Sequence, residues 1–396
     1  MHKTIVFQAL SVLSVSFFLI SADSWAQSAS AGTIAGTIED SSGAIVPNAQ
    51  VEISYPVSGF HRETTSGGLG DFHFNNVPFN PYHMVVTASG FGPYMQDVDV
   101  RSSVPVTLQI SLKISSESTT VTVEENGGDL VETDPNFHTD VDRKLFDKLP
   151  LESQSSSVSS LVTLASPGVV ADSNGLFHGL GDHAENSFSV DGQPITDQQS
   201  KVFSNQIPLD SIQSLEVISG APPAEFGDKT SLVIKVTTRS GQGVTQPTGS
   251  VTASYGSFGS VNGGFNLALG GQNWGNFISA NGLKTGRFLD PPEFQVFHAR
   301  GNEQNVFDRV DYQLTQADAV HLNVGYTRSS FQTPNSLDTQ FVHPTQLPGT
   351  VLTQGQQSLI NTFNIAPTWT RLISPTTLLT VGAFVRQDQY RSLLSG

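Results

Sequence analysis

The sequence predicts a mainly β chain in three successive parts: a β-sandwich, a small α+β globule, and a run of long antiparallel strands with one apolar face. Three observations carry this. Charged residues make up 14% of the 396, against about 25% in ordinary soluble proteins, and 36 Gly and 21 Pro punctuate the chain. Apolar residues recur at period two far more often than at helical spacing. Clusters of Gly, Asn, Asp, Ser and Pro separate these runs at regular intervals, as turns do.

The same composition excludes several functions. The net charge is −16, from 35 acidic and 19 basic residues, so the chain repels a phosphate backbone and is expected to bind no nucleic acid. With no Cys, it has no disulfide, no thiolate nucleophile and no cysteine-held zinc or iron–sulfur site.

Residues 1–26 read as a secretory signal peptide. Met1-His2-Lys3 is a basic start, Ile5 to Ile20 is an apolar run, and Ser24-Trp25-Ala26 ends in the small residue that a signal peptidase needs. No later stretch holds enough consecutive apolar residues for a membrane-spanning helix, so a membrane position would require a β-barrel.

Residues 27–114 read as the sandwich. Ile34, Gly36 and Ile38, then Val51, Ile53 and Tyr55, then Phe72 and Phe74, then Met84 and Val86 alternate with polar residues. Val104, Val106, Leu108, Ile110, Leu112 and Ile114 share one face of a last strand. Asp40-Ser41-Ser42-Gly43, Ser66-Gly67-Gly68 and Asn80-Pro81 supply turns. Residues 115–126, "SSESTTVTVEEN", form a short polar extended segment.

Residues 127–246 mix short helices with strands. Leu145, Phe146 and Leu149 have helical spacing before Pro150, and Val158, Leu161, Val162 and Ala165 share a face before Pro167-Gly168. Phe188 and Val190 precede an Asp191-Gly192 turn. Ile212, Leu215 and Val217, then Leu232, Ile234 and Val236, mark two further strands.

In residues 247–396 the alternation lengthens. Val251, Ala253 and Tyr255; Phe265, Leu267 and Leu269; Val306, Val310, Tyr312 and Leu314 each occupy one strand face. Leu322, Val324 and Tyr326; Phe363, Ile365 and Trp369; Leu379, Val381, Ala383 and Val385 continue it, with polar residues between. Loops alternate short and long. This is the pattern of an antiparallel transmembrane β-barrel, and a soluble sandwich is the competing reading. About seven such strands are present, whereas plugged barrels close at about 22, so the expectation is an incomplete barrel and an N-terminal fragment.

Two resemblances give these parts names. "GTIAGTIEDSSGAIVPNAQVEIS" with "TTSGGLGDFHFNNVPFNPYHMVVTASGF" resembles the carboxypeptidase regulatory-like domain, which implies a prealbumin-like sandwich. "FHTDVDRKLFDKLPL", "LVTLASPGV", "GLGDHAENSFSVDGQPI" and "IQSLEVISGAPPAEFG" resemble, in order, the landmarks of the TonB-dependent receptor plug domain. One departure follows Phe226-Gly227, where "GDKTSLVIKV" replaces the usual Gly-rich turn. The resemblance implies that Thr119, Thr120, Val121, Thr122, Val123 and Glu124 are the coupling segment, gripped by a TonB-type periplasmic energy-coupling protein through strand addition. It implies that Asp191, Gly192, Glu216, Gly220, Phe226 and Gly227 belong to the plug core, and that loop residues 171–183 face outward toward an unknown solute. Outer-membrane lipid would surround the barrel. The overall reading is a TonB-dependent outer-membrane receptor or transporter in a Gram-negative bacterium. The alternative is a cell-surface carbohydrate-binding or adhesive β-protein without transport activity, using Phe72, Phe74, Phe79, Tyr82, Phe91 or Tyr94 as a sugar platform; these six read more simply as core.

No catalytic constellation emerges. Gly179-Leu180-Gly181-Asp182-His183-Ala184 matches a dinucleotide pattern without a strand–helix context. His178, Asp182 and His183 have no second ligand cluster, and the pair Asp97 and Asp99 reads as a solvated strand edge. The expectation is therefore no enzyme, no cofactor and no metal.

Overall fold

The computed structural model describes residues 31–55, 60–100, 105–114, 138–146, 148–149, 151, 158–172, 174–179, 186–195, 204–220, 226, 232–242, 244, 246–271, 273–290, 299–315, 317–333, 356–374 and 377–394. The expected signal peptide and coupling segment Thr119–Glu124 lie outside the described residues, as do Gly227, Asp182 and His183.

Seven strands build the first part: β1 (Ala31–Asp40), β2 (Gln50–Tyr55), β3 (Phe60–Thr65), β4 (Asp71–Pro78), β5 (Pro81–Thr87), β6 (Tyr94–Asp99) and β7 (Val106–Leu112). They form two sheets, ordered β4-β1-β7 and β3-β2-β5-β6, with β1 and β7 parallel. Period-two alternation in β2 and β5 sends Val51, Ile53, Tyr82, Met84 and Val86 into the space between the sheets. There they meet Ile34, Ile38, Phe72, Ile110 and Leu112. Of the six aromatics that could have offered sugars a platform, Phe72, Phe74 and Tyr82 are buried, and Phe79, Phe91 and Tyr94 pack against the same core. Ile114, the last residue of its periodic series, is instead exposed. Asp97 and Asp99 lie on the edge strand β6, and Asp97 pairs with His83 at 2.6 Å.

The second part carries β8 (His138–Asp142), α1 (Arg143–Phe146), α2 (Val158–Ala165), β9 (Val169–Ala171), β10 (Phe177–Gly179), β11 (Asn186–Val190), β12 (Gln193–Ile195), β13 (Ile212–Ser219) and β14 (Leu232–Thr238). Its main sheet runs β12-β11-β14-β13-β8, with β11 and β14 parallel. Every residue of β11 is buried, and only Lys235 of β14 is not, because both faces of this sheet are covered. One face meets Val158, Leu161 and Val162 of α2 through Phe188, Leu215, Val217, Leu232, Ile234 and Val236. On the other face Ile218, Val233 and Phe226 form a small cluster of their own.

The third part is one large antiparallel sheet: β15 (Thr248–Gly256), β16 (Ser260–Gly270), β17 (Trp274–Thr285), β18 (Gly301–Gln313), β19 (Asp318–Thr333), β20 (Gln356–Ser374), β21 (Thr377–Gly382) and β22 (Val385–Leu394). Neighbours in sequence pair in space, except that β22 returns to pair with β20. β21 and β22 keep a single register along β20, since Thr368 faces Gly382 and Ile365 faces Val385. The interruption falls opposite Pro367, whose carbonyl accepts from Ala383 N–H at 3.1 Å but whose nitrogen has no proton to return. β21 and β22 are thus two halves of one strand, giving seven long passages of chain. Among the described residues the sheet does not close into a barrel.

The faces of this sheet are inverted relative to a soluble protein. Val251 is 85% exposed and Tyr255 80%, and Phe265, Val306, Val310, Tyr312, Tyr326, Phe363, Val381 and Val385 are exposed on the same face. These are the residues whose alternation marks the apolar stripe in the sequence. The opposite face is polar and buried, with Ser279, Asn281, Asn305, Asp311, His321, Asn323, Thr327, Ser329 and Thr362, and it is turned toward the second part of the chain.

Candidate functional site

The polar face of the large sheet and the α+β globule meet through directed hydrogen bonds and ion pairs. Their centre is the hairpin between β11 and β12. Its two-residue turn puts Asp191 at φ 47° and Gly192 at φ 83°, the doubly positive arrangement that suits Asp-Gly and a type I′ turn. Asp191 N–H donates to Val236 O at 2.9 Å, which fixes the turn against the end of β14. The carboxylate then accepts from Thr238 N–H at 3.0 Å, Thr238 Oγ1 at 2.5 Å and Asn323 Nδ2 at 2.6 Å.

Arg309 of β18 lies 3.5 Å from the Asp191 carboxylate and 2.9 Å from Asp311, all three side chains being about a tenth exposed or less. Its guanidinium also donates to Thr238 O at 3.0 Å and Thr238 Oγ1 at 2.9 Å. Burial would push the Asp191 carboxyl upward. Arg309, the two bonds from Thr238 and nearby His321 outweigh that and hold it below its ordinary 3.8. The carboxylate is therefore charged across the neutral range, and one cation answers two buried anions.

The residues leaving β14 grip the sheet one after another. Thr238 bonds Arg309, Arg239 stacks over the Phe277 ring at 4.4 Å, and Ser240 Oγ donates to Asp311 at 2.5 Å. Further along the interface, Gln193 Nε2 donates to Asn364 Oδ1 at 2.7 Å. Asn205 is held by four partners on the sheet: Nδ2 donates to Thr327 O, Ile360 O and Thr362 Oγ1, and Oδ1 accepts from Ser329 Oγ at 2.7 Å. At the end with the long loops, Asn174 Oδ1 accepts from Asp290 N–H at 3.0 Å.

The residues expected in the plug core separate into two groups. Asp191 and Gly192 sit at the interface just described. Glu216 pairs with Lys235 directly across the ladder at 3.0 Å, and Lys235 lies over the Phe226 ring at 5.9 Å. Gly220 closes β13 with φ 97°. These three positions stabilise the globule without touching the large sheet by any named bond. His178 lies on β10, and the described residues hold no group of three potential metal ligands. Sequence reasoning missed Arg309, Asp311, Asn323, Asn205 and Thr238. A signal was available for two of them: Arg309 and Asp311 fall on the polar side of a strand whose other side carries Val306, Val310 and Tyr312.

Two family models match the chain, the carboxypeptidase regulatory-like domain over residues 33–113 and the TonB-dependent receptor plug domain over residues 135–231. The chain is 25% identical over 253 residues to the TonB-dependent transporter Oar of Myxococcus xanthus, covering 61% of this chain and 23% of that protein. It thus spans about a quarter of the length of that curated relative. Among solved structures, FpvA of P. aeruginosa bound to pyoverdines aligns with a TM-score of 0.51 at 14% identity, over 66% of this chain and 35% of that one. The ferric-catecholate import receptor Fiu of E. coli aligns with a TM-score of 0.48 at 14% identity, over 65% and 39%. At 14% identity the likeness to FpvA concerns the fold alone.

Proposed function

From the premise that this chain belongs to the TonB-dependent outer-membrane receptor family, with a regulatory-like domain ahead of its plug, we propose that it works as an energised uptake receptor. In this reading residues 127–246 are the plug, and the large sheet is part of the transmembrane barrel wall around it. The apolar exposed face meets lipid, and the polar face lines the lumen. The plug module is a non-catalytic part of a transport receptor, so the chain does mechanical rather than chemical work.

The observation that carries the proposal is the character of the plug–wall contact. It rests on charge and hydrogen bonds at Asp191, Arg309, Thr238 and Asn205 rather than on a continuous apolar seam. Such a contact holds registry while dry, yet its groups can be re-satisfied by water when the surfaces part. A pull delivered from the periplasm would open it without exposing a greasy core. The handle would be Thr119–Glu124, whose alternating Thr and Val suit capture as an added strand. Asn174 meets Asp290 at the long-loop end, which supports the reading that loop 171–183 would be the part of the plug that a solute reaches first.

The test is binding of the full chain, in detergent, to the soluble C-terminal domain of the source bacterium's TonB-type protein. Val121→Pro removes a ladder N–H in the coupling segment and should weaken that binding at least tenfold. Equal binding by the wild type and the proline variant would remove the coupling role from this segment.

A further inference from the structure

The outward face of the large sheet is not uniformly apolar. Cross-strand pairing arranges its side chains in rows. Val306, Tyr326 and Phe363 lie opposite one another on β18, β19 and β20. Two residues nearer the long-loop end, Gln304, Arg328 and Asn361 form the next row, and beyond it Lys284, Asn302 and Ser330 form another. At roughly 3.3 Å per residue, the aromatic row and the Arg328 row are only about 7 Å apart along the strand.

Here a recess of about 430 Å³ opens, lined among others by Lys284, Arg300, Asn302, Ser330, Gln332 and Gln357. Arg328 joins it by donating to Asn302 Oδ1 at 3.2 Å and to Gln304 Oε1 at 3.2 Å. Gln332 accepts from Arg300 N–H at 3.3 Å, and Gln357 donates to Ser330 Oγ at 3.0 Å. Among the described residues no carboxylate forms an ion pair with Lys284, Arg300 or Arg328. The nearby Asp290 is taken by Arg287 at 2.6 Å, and Glu303 lies on the opposite, buried face. In a chain of net charge −16, three cations without an acidic partner in one recess are a local exception.

We propose that this recess binds the phosphate-bearing headgroup of an outer-leaflet lipid. Two cationic guanidinium groups and an ammonium suit phosphate oxygens, with Arg offering paired donors. The neighbouring amides and the Ser330 hydroxyl suit the hydroxyl groups of a sugar or glycerol headgroup. The face decides between a lipid and a soluble anion. The recess sits on the side away from the plug, one row beyond Arg328 and two rows beyond exposed Tyr326 and Phe363, where acyl chains would run down over Val324, Leu322 and Ile365. The inference rests on the reading that this face meets lipid.

The experiment uses the full chain in a Trp25→Phe background, purified in a nonionic detergent. Native mass spectrometry counts bound phosphatidic acid, with diacylglycerol of the same acyl chains and inorganic phosphate as competing probes. The triple variant Lys284→Gln, Arg300→Gln, Arg328→Gln should bind phosphatidic acid about a hundredfold more weakly, from the loss of three charges near a membrane surface. A charge-preserving Lys284→Arg, Arg328→Lys variant should keep most of the affinity. An unchanged affinity in the triple variant overturns the inference, and so does displacement of the lipid by inorganic phosphate at equal concentration. Quenching of Trp274 and Trp369, both on the outward face, by brominated lipid separates the two levels. Absence of quenching in the wild type overturns the lipid-facing reading and this inference with it. Quenching in wild type and triple variant alike shows both folded against lipid, and unchanged phosphatidic acid binding then overturns the headgroup site alone.

Discussion

The sandwich and the plug–wall contact solve opposite problems with the same backbone. In the sandwich, two sheets close over Ile34, Ile53, Phe72, Tyr82, Met84 and Ile110, and specificity comes from shape. Between plug and wall, Asp191, Arg309, Asp311, Asn205 and Gln193 do the holding, and specificity comes from paired donors and acceptors. Burying apolar surface resists separation in proportion to area, whereas a polar contact costs little to open once water can replace its partners. On the proposed reading, the difference separates a surface that stays shut from one that opens. A sandwich that parted would unfold; a plug that parted would remain a folded plug.

The largest expected effect would break the polar side of this comparison. Arg309→Leu leaves Asp191 and Asp311 buried with no cation between them, and should weaken the plug–wall contact by about 3–5 kcal/mol. Amide exchange at Thr238, whose N–H donates to Asp191, would report it. Adding Asp191→Asn and Asp311→Asn to Arg309→Leu should restore much of the protection, because the uncompensated charges are then gone. Since Asp191 is held below 3.8, its share of the contact is complete above that value and is lost only as pH falls further, so wild-type protection should not change through its titration between pH 8 and 5.

Next in size is a break on the apolar side. Ile53→Ala empties part of a fully buried core position and should destabilise the sandwich by about 2–5 kcal/mol while leaving Thr238 exchange unaltered. The chain contains no Cys, so Ala49→Cys supplies a single buried thiol whose alkylation in increasing urea reads sandwich opening alone. A matching loss of plug–wall protection would mean that the two regions are one cooperative unit, against the contrast drawn above. A smaller effect sharpens the comparison: Asn205→Ala takes the acceptor from the Ser329 hydroxyl, while Thr362 still donates to Asp388, and should cost the contact about 1–3 kcal/mol, again by amide exchange.

How much of this could be read in the sequence follows from the range of each interaction. Local ones were legible. The period-two faces of β2, β5, β18 and β19, the helical face of α2 ended by Pro167-Gly168, and the Asp191-Gly192 turn are all set by residues a few positions apart. The stripe of Val306, Val310 and Tyr312 was read as greasy, and the structure leaves it exposed. The pairing of Asp191 with Arg309 spans 118 positions, and that of Asn205 with Thr362 spans 157. No local pattern carries such partners; only the stacking of a whole sheet against a globule brings them together. The recess at Lys284, Arg300 and Arg328 was hidden for the same reason, since those cations belong to three different passages of the chain.

The smallest effect tests a titrating group on the outer face of the sandwich, on the strand whose Phe72 and Phe74 face the core. His73 lies on β4 with its side chain 16% exposed, 3.9 Å from Asp71. Burial lowers its pKa, and Asp71 only partly offsets this, so the net shift is downward from 6.5. The unfolded chain therefore takes up the proton first as the medium acidifies. Sandwich stability should be complete above about pH 6.5 and should decline as pH falls from there through the lower folded value. His73→Gln removes the titration, so the Ala49→Cys urea midpoint should fall less between pH 7.5 and 5.5 in that variant than in the parent. An equal fall in both would place the acid sensitivity of the sandwich in a group other than His73.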